Sequence, residues 1–290
     1  MKNEKIKSNK LSLTRIFQIK TANFIGQQSP NQKFVSMDFT RVSSCFVVCI
    51  ALACSGTSEN NQAATTSFTD IHAASPSRLT AEEKADGWKF LFDGENLENW
   101  RSAKSDSFPS KAWVIEDGAL VLAGKGGDIV TKEKYGNFEL AWEFNLTDGS
   151  NSGIKYFVDS ITHRTTGATV INGPEYQIID DLNYEGIKDD PNGLSSTGAL
   201  YLLYAPENKT LRPAGQWNNA RIVAKNGEVE HWLNGTKVLS YQKGSEDFRR
   251  KIVETKFKDY PDYGLATEGH ILLTDHQDQV YFRNIKIRKL

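Results

Sequence analysis

The sequence contains little cysteine, and all of it lies near the N-terminus. Cys45, Cys49 and Cys54 are the three cysteines of the 290-residue chain. After Cys54, therefore, no side chain can form a disulfide bond, act as a thiolate nucleophile or bind a metal through sulfur. Amphipathic helical periodicity is also weak in this part of the chain, which leaves strands as the main expected element.

A long hydrophobic run is missing as well. The apolar segment at residues 45–53 is roughly ten residues long, whereas a membrane-spanning helix needs about 20. A short apolar segment that follows a basic residue, here Arg41, is typical of the hydrophobic region of a secretory signal. We therefore expect residues 1–53 to be a signal region, with Met37 as the true start of the protein.

The end of this segment resembles a bacterial lipoprotein box, because Ala51-Leu52-Ala53 precedes Cys54. In such a box the cysteine becomes the lipidated first residue after cleavage. We expect an exported lipoprotein in the periplasm or outer membrane, and residues 54–84 to be its lipidated N-terminus and flexible tether. An ordinary signal peptide that is cleaved near the same place is the alternative.

Positive charge is also scarce after the signal region. Of the 35 basic and 36 acidic residues of the chain, eight basic and two acidic ones lie in residues 1–53. The remainder carries 27 basic and 34 acidic side chains, which gives a net charge near −7. Because an acidic domain binds nucleic acid poorly, we expect no nucleic-acid partner, and membrane contact only through a lipid anchor at Cys54.

Turn signals and short strand-like runs dominate from residue 85 onward. Asx-Gly pairs at 117–118, 226–227 and 234–235 supply the positive φ angles of two-residue hairpin turns. The sequence therefore predicts an all-β fold, with residues 85–290 as a single two-sheet sandwich of jelly-roll type. The other predictions are strands at 138–146, 199–204, 270–276 and 280–287, a loop at 181–197, and a short helix capped by Thr80.

The two later hairpin turns predict a strand register. The turn at 226–227 pairs Ile222 with His231, and the turn at 234–235 pairs His231 with Val238. This alternation places His231 on the apolar face of the sheet. A histidine in such a position is more often a hydrogen-bonded core residue than a catalytic one.

The same register gathers polar and aromatic side chains on the opposite face. Trp232, Arg221 and Tyr241 are predicted there, and Glu143 lies on the polar side of the strand at 138–146. An aromatic ring beside charged groups suits a platform for stacking and binding a sugar substrate. A solvent-exposed sheet face explains the pattern equally well.

Two further strand-like segments, which begin near Asn151 and Glu175, carry polar residues on one face only. If their apolar residues, up to Val158 in the first segment, point to the core, then Lys155, Glu175 and Gln177 point the other way. An ammonium, a carboxylate and an amide on one face suit a site that binds and deprotonates a polyol. Between two buried faces they would be costly unless paired.

The predicted strand at 270–276 ends in another candidate. Ile271 and Leu273 indicate the core face, so His276 emerges on the opposite face. Histidine can accept or donate a proton near neutral pH. An exposed histidine at a strand end, without a function, is the simpler alternative.

Several stretches in order along the chain resemble one protein family. They are residues 87–94 with Trp100, 151–156, 173–181, 197–201, 212–218, 230–235, and 275–276 with 282–285. This ordered set is similar to the family once called domain of unknown function 1080, now described as 3-keto-disaccharide hydrolases or 3-keto-glucoside 1,2-lyase/hydratases. The resemblance implies a concanavalin A-like sandwich that bacteria export to degrade glycosides. The chain departs from the family pattern at Gln277, where a glycine usually follows.

The reaction implied by this resemblance needs a base, an acid and a group that stabilises negative charge. A ketone at C3 of a glucoside acidifies the C2 proton, so that its removal gives an enolate that can expel the C1 substituent before water adds. We expect Glu175 and His276 to be base and acid, in either order, and Lys155 to stabilise the enolate oxygen. Gln177 and Asn151 would bind sugar hydroxyls.

The sequence does not require a cofactor, because it contains no compact metal-ligand spacing. A divalent cation could nevertheless replace or assist Lys155. Its possible ligands would be Glu175, Asp180 and His276.

Two other functions fit the same fold. A non-catalytic carbohydrate-binding module would stack sugars on Trp232, Trp113 or Trp217, and Lys155 and Glu175 would then form a cross-strand ion pair worth less than about 1 kcal/mol. A conventional glycoside hydrolase would need two carboxylates about 5 Å or 6.5–9.5 Å apart. The sequence disfavours it because the second position on the strand of Glu175 is an amide.

Overall fold

The computed structural model describes residues 77–290, and the strands in this part of the chain form two antiparallel sheets. In chain order the strands are β1 (Lys89–Phe92), β2 (Trp100–Ser102), β3 (Trp113–Glu116), β4 (Ala119–Leu122), β5 (Ile129–Thr131), β6 (Phe138–Leu146), β7 (Asn151–Thr162), β8 (Thr169–Asn172), β9 (Glu175–Ile179), β10 (Trp217–Lys225), β11 (Glu228–Leu233), β12 (Thr236–Gln242), β13 (His270–Leu273) and β14 (Val280–Lys289). The helices are α1 (Ala81–Ala85), α2 (Glu246–Val253) and a 3-10 helix at Glu185–Asp189.

The larger sheet has eight strands in the order β12-β11-β10-β6-β14-β4-β3, with β1 also paired to β14. The smaller sheet has six strands in the order β2-β5-β13-β7-β8, with β9 also paired to β7. The predicted all-β, two-sheet jelly-roll sandwich is therefore confirmed. The hairpin turn at 117–118 joins β3 to β4, as predicted.

Large aromatic side chains fill the space between the two sheets. Phe138 of β6 contacts Tyr156 of β7, with ring centroids 6.4 Å apart, and Trp142 packs edge-on against Tyr176 at 5.0 Å. Such pairs exclude water from the interior and are favourable beyond the area that they bury. This core leaves the outer face of each sheet for polar residues.

His231 lies in this core and makes hydrogen bonds through both ring nitrogens. Its Nε2 is 2.8 Å from the Tyr156 hydroxyl, and its Nδ1 is 3.0 Å from the carbonyl oxygen of Gly198. Burial lowers the pKa of His231 to about 4, so the ring is neutral near pH 7. The interpretation of His231 as a satisfied core histidine is confirmed.

The register of the second hairpin differs from the prediction. Ile222 pairs with His231 as expected, but a β-bulge follows His231, which therefore pairs with Leu239 instead of Val238. The extra residue reverses the side-chain alternation of β12. Tyr241 consequently points into the core, where it is 5% exposed, and not to the face of Trp232.

A second bulge changes the face of Val158. Phe157 has a φ of 51°, so that its ring and the preceding one of Tyr156 both point into the core. Val158 then packs on the opposite face in a small apolar cluster with Leu272 and Val130. The expectation that Val158 belongs to the main core was wrong, because alternation alone does not reveal such a bulge.

One predicted strand is absent and another is shorter than expected. Residues 199–204 form turns, with only isolated bridges at Leu200, and β13 ends at Leu273 instead of His276. The loop at 181–197 is confirmed, although it includes the 3-10 helix. Backbone hydrogen bonds from residues 198–201 still cover the free edge of β9.

The N-terminal part of the described chain is anchored to the sandwich. Thr80 caps α1 in a capping box with Glu83, as predicted, and Glu83 forms an ion pair with Lys286 of β14. Residues 77–84, expected to end the tether, therefore contact the domain.

The predicted start at Met37 and lipidation site at Cys54 lie outside the described residues. None of the helices within residues 77–290 has the length and apolar character to cross a membrane.

The bulge at Phe157 requires a glycine at position 269, directly before β13. A Cβ atom on Gly269 would lie 2.2 Å from the carbonyl carbon of Phe157. We expect Gly269→Ala to lower the free energy of unfolding by about 3 kcal/mol, because neither backbone can move aside freely. Gly124 is a matched control: nothing lies within 4 Å of its Cβ position, so that Gly124→Ala should change stability by less than about 0.5 kcal/mol. Urea denaturation measures both, and equal effects would contradict the account.

Candidate functional site

The candidate site lies on the outer face of the six-stranded sheet, where β9, β7 and β13 are neighbours. Lys155 of β7 pairs directly with Glu175 of β9 on one side and with Leu272 of β13 on the other. Gln177 pairs with Gly153, one step along the same face. The predicted gathering of an ammonium, a carboxylate and an amide on one face is therefore present.

Glu175 is buried although it lies on the outer face. The residue is 5% exposed, and its Oε1 atom has no hydrogen-bond partner within residues 77–290. The carboxyl lies over Gly153, since a Cβ atom on that residue would be 2.4 Å from Oε1. Only glycine leaves room for the carboxyl there, which gives a physical reason for the Gly153 of the 151–156 motif.

Burial has a clear effect on the acidity of this carboxyl. It raises the pKa of Glu175 above the ordinary value, because desolvation disfavours the charged form. The positive charge of Lys155, and less strongly those of His276 and Lys256, acts in the opposite direction. A raised pKa brings the carboxyl closer to the pH at which an enzyme works, so that it can both accept and donate a proton there.

Lys155 interacts with Glu175 through its charge but does not form a hydrogen bond with the carboxylate. Its Nζ atom lies 3.9 Å from Glu175 Oε2, which is too far for a hydrogen bond. The Lys155 side chain is 19% exposed, against 7% for that of Glu175. The ammonium can therefore contact a ligand on this face while its charge still acts on the carboxylate.

The two predicted sugar-binding amides contact each other. Gln177 Nε2 donates to Asn151 Oδ1 over 3.3 Å, and the backbone N–H of Asn151 donates to Asp278. Gln177 is buried and Asn151 is half-buried. This bond fixes the orientation of both side chains beside Glu175.

His276 lies in an exposed turn after β13, near enough to Glu175 for its charge to favour the ionised carboxyl. Asp275 anchors this turn, because its carboxylate accepts hydrogen bonds from the backbone N–H groups of Gly126 and Gly127. Gln277 has a φ of 69°. The turn therefore keeps the left-handed shape that a glycine would adopt more easily, and Gln277 bears the strain.

Asp180 has a structural role and is not part of this group. Its carboxylate accepts hydrogen bonds from the backbone N–H groups of Gly149, Leu182 and Asn183, and from the Asn183 side chain. These donors offset burial and lower the pKa of Asp180. Glu175, Asp180 and His276, the possible ligands of a divalent cation, are not brought together as a set, since residues 77–290 contain no group of three such side chains placed to hold a metal.

Three residues expected to bind substrate lie elsewhere. Trp232, Arg221 and Glu143 belong to β11, β10 and β6 of the larger sheet, and they line a cavity on its outer face. The core separates this face from Glu175, because both sheets bury their other face in it. Alternation identified their face correctly but could not tell which sheet contained them.

Other groups near Glu175 were not predicted. The buried hydroxyl of Tyr263 has no hydrogen-bond partner within residues 77–290. Burial, and less strongly the charge of Glu175, raises the pKa of Tyr263. The Lys256 ammonium lies 4.6 Å from the ring centre of Tyr201, and the charge of Asp128 disfavours ionisation of Glu175. These residues come from loops without strand periodicity, so alternation gave no signal for them.

The structure is that of a β-sandwich protein that carries a buried carboxyl beside an ammonium on the outer face of its smaller sheet. The chain belongs to the family of the 3-keto-alpha-glucoside-1,2-lyase-like domain, whose model matches residues 87–288. The family resemblance predicted from the ordered motifs is thus confirmed.

Individual relatives agree with this assignment. A 3-keto-disaccharide hydrolase of Bacteroides thetaiotaomicron is 29% identical over 287 residues, covering 87% of this chain and 98% of that protein. A solved structure from Parabacteroides distasonis, provisionally named a glycosyl hydrolase, has a TM-score of 0.65 and 39% identity over 74% of this chain and 100% of the other. A second protein from that organism with the same provisional name has a TM-score of 0.52 and 28% identity, over 70% and 99% of the two chains.

The raised pKa of Glu175 predicts a pH-dependent stability difference. The folded state holds the Glu175 proton more tightly than the unfolded chain, so this group makes folding less favourable as pH rises from about 4.3, the ordinary glutamate value, through its folded value. Glu175→Gln removes the charge and keeps the size. We expect the stability of this variant relative to wild type to be greater at pH 8 than at pH 4.

Urea denaturation of both proteins at the two pH values measures this difference. Glu185→Gln is a matched control, since Glu185 is exposed in the 3-10 helix. A stability difference for Glu175→Gln that stays constant with pH would show that the carboxyl is not desolvated.

Proposed function

We propose that this protein is an exported enzyme that cleaves 3-keto-glucosides by elimination across C1 and C2, followed by hydration. The observation that supports this most is the buried Glu175 carboxyl, which has an unpartnered oxygen, a raised pKa and a lysine ammonium 3.9 Å away. Family membership and the name of the Bacteroides relative support a glycoside-acting enzyme. The 3-keto substrate and the route are our proposal.

In the first step Glu175 accepts the C2 proton of the substrate. The electron pair of the C2–H bond forms the C2–C3 double bond of an enolate, and negative charge develops on the C3 oxygen. The Lys155 ammonium stabilises this charge, which is where electrostatic stabilisation contributes most to such reactions. Gln177 and Asn151 hold the sugar hydroxyls so that C2–H faces the carboxylate.

In the second step the enolate re-forms the ketone and expels the C1 substituent. The C1–O bond breaks, a C1–C2 double bond forms, and the leaving oxygen takes a proton from His276, which is exposed after the end of β13. Water then adds across the C1–C2 double bond, with its oxygen at C1 and a proton at C2. If the unsaturated sugar leaves the enzyme before water adds, the protein is a lyase. If water adds first, the net reaction is hydrolysis.

The buried carboxyl also weighs against a simple binding module. Burying a carboxylate with an unpartnered oxygen is costly, and a module that only stacks sugars gains nothing from that cost. A conventional glycosidase remains a testable alternative, because Asp128 is a second carboxylate within electrostatic range of Glu175. Its Oδ1 atom accepts a hydrogen bond from the backbone N–H of Asp275.

Export by lipidation at Cys54 forms part of the proposal. It rests on the sequence before and at Cys54 alone. A lipid anchor on the outer membrane or in the periplasm would place the sandwich where glycosides from outside the cell are first available. Labelling cells with a palmitate analogue tests it: Cys54→Ser should abolish labelling of this protein.

Removing the proposed base and the charge stabiliser should have different consequences. On a 3-keto-glucoside, we expect Glu175→Gln to lower kcat by about 10²–10⁴-fold, the usual contribution of general base catalysis. Lys155→Met should lower kcat as well. It should also move the acidic limb of the pH–rate profile to higher pH, because the ammonium no longer favours ionised Glu175.

The measurement compares release from glycosides with and without a ketone at C3, over a pH series. Lys188→Met is the matched control, since Lys188 is exposed in the 3-10 helix. Wild-type rates in both site variants would exclude these roles. Release from the unoxidised glycoside would instead support a conventional glycosidase.

A further inference from the structure

A second surface with the chemistry of a binding site lies on the outer face of the larger sheet. It is a cavity of about 630 Å³, within the usual range of ligand pockets. Its lining includes an indole ring, charged groups of both signs and amides, namely Trp232, Arg221, Glu143, Asn219, Asn284 and Lys286. We call it the Trp232 cavity.

The aromatic part of the Trp232 cavity is held in place from two sides. The guanidinium carbon of Arg221 lies 4.1 Å from the centre of the Trp232 ring, and Trp232 Nε1 donates to Glu230 over 2.9 Å. Arg221 is itself fixed, since its Nη1 donates to the buried carboxylate of Glu139 over 3.0 Å. Ring and guanidinium therefore form a platform that loses little conformational freedom when a ligand binds.

The acceptor side of the cavity is similarly fixed. Glu143 accepts two hydrogen bonds from Arg283, at 2.9 Å and 2.7 Å, and one from Asn284 at 2.6 Å. A carboxylate has about four acceptor positions, so that Glu143 retains capacity for a ligand hydroxyl. Such bonds from hydroxyl groups are short and strong because the acceptor is charged.

The charges around the cavity indicate a neutral ligand. Three basic side chains and two carboxylates line it, namely Arg78, Arg221, Lys286, Glu83 and Glu143. Most of these charges are already compensated within the protein, because Arg221 pairs with Glu139, Lys286 with Glu83, and Glu143 with Arg283. A polyanion such as a nucleic acid would have to compete with the carboxylates that already pair with Arg221 and Lys286. A neutral pyranose satisfies the set, because its apolar C–H face can pack on the negative face of an indole ring while its hydroxyls reach fixed donors and acceptors.

We propose that the Trp232 cavity binds neutral oligosaccharides and is separate from the Glu175 site. The two lie on opposite faces of the sandwich. Through the core, the Tyr176 hydroxyl donates a hydrogen bond of 3.1 Å to the Trp232 carbonyl oxygen. A glycan held on this face would keep the protein close to its polymeric source while Glu175 acts on released fragments.

The test uses unoxidised neutral gluco- and xylo-oligosaccharides, which lack the C3 ketone. Binding is measured by isothermal titration with the full domain. We expect saturable binding by wild type and at least a tenfold higher Kd for Trp232→Ala. Trp217 is a matched control on the same sheet: it too lies beside a guanidinium, that of Arg283 at 3.9 Å, and it does not line the cavity. Trp217→Ala should keep the wild-type Kd.

Because the probe cannot undergo the proposed elimination, the result does not depend on the role of Glu175. No saturable binding to any of these oligosaccharides would overturn the proposal, as would equal affinities of wild type and Trp232→Ala. Loss of binding in Glu175→Gln with normal binding in Trp232→Ala would assign the glycan to the smaller sheet, and would overturn it too. Circular dichroism of each variant checks that the fold is retained.

Discussion

The close contact between the Glu175 carboxyl and Gly153 keeps the proposed acid–base group away from water on an otherwise solvent-facing sheet surface. A side chain at position 153 would occupy the place of Oε1, and the carboxyl would have to turn toward water. There, desolvation would no longer raise its pKa. The ammonium of Lys155 could still approach it, but the pair would then be an ordinary surface ion pair of little consequence. Burial of one carboxyl thus links the register of β7 and β9 to the proposed chemistry.

The bulge at Phe157 supports this arrangement from further along β7. It keeps two successive aromatic rings in the core and turns Val158 to the outer face, where the small apolar cluster with Leu272 and Val130 continues the sheet surface beyond Lys155. Gly269 is the residue that makes the bulge possible, because the two backbones approach too closely for a side chain. Strain of this kind is common near functional sites. Here it ends the polar row of the site after Lys155.

Structural features that depend on local sequence could be predicted, and features that depend on long-range strand pairing could not. Asx-Gly pairs located the hairpins, Thr80 located the helix start, and strict alternation put Lys155, Glu175 and Gln177 on one face. Alternation failed at Val158 and Tyr241, where bulges insert one residue. It also could not assign Trp232 and Glu175 to different sheets, since strand order is a tertiary property. Tyr263 and Lys256 reach Glu175 from a loop, where no periodic signal exists.

In the proposed route, cleavage begins with loss of the C2 proton to Glu175. The most direct measurement is the rate of cleavage of a 3-keto-glucoside that carries deuterium at C2, compared with the protiated substrate, under conditions in which release from C1 is followed. We expect slower cleavage of the deuterated substrate, because breaking the C2–H bond precedes departure of the C1 group. Equal rates, together with a product that retains all of its C2 deuterium, would contradict it and indicate direct substitution at C1.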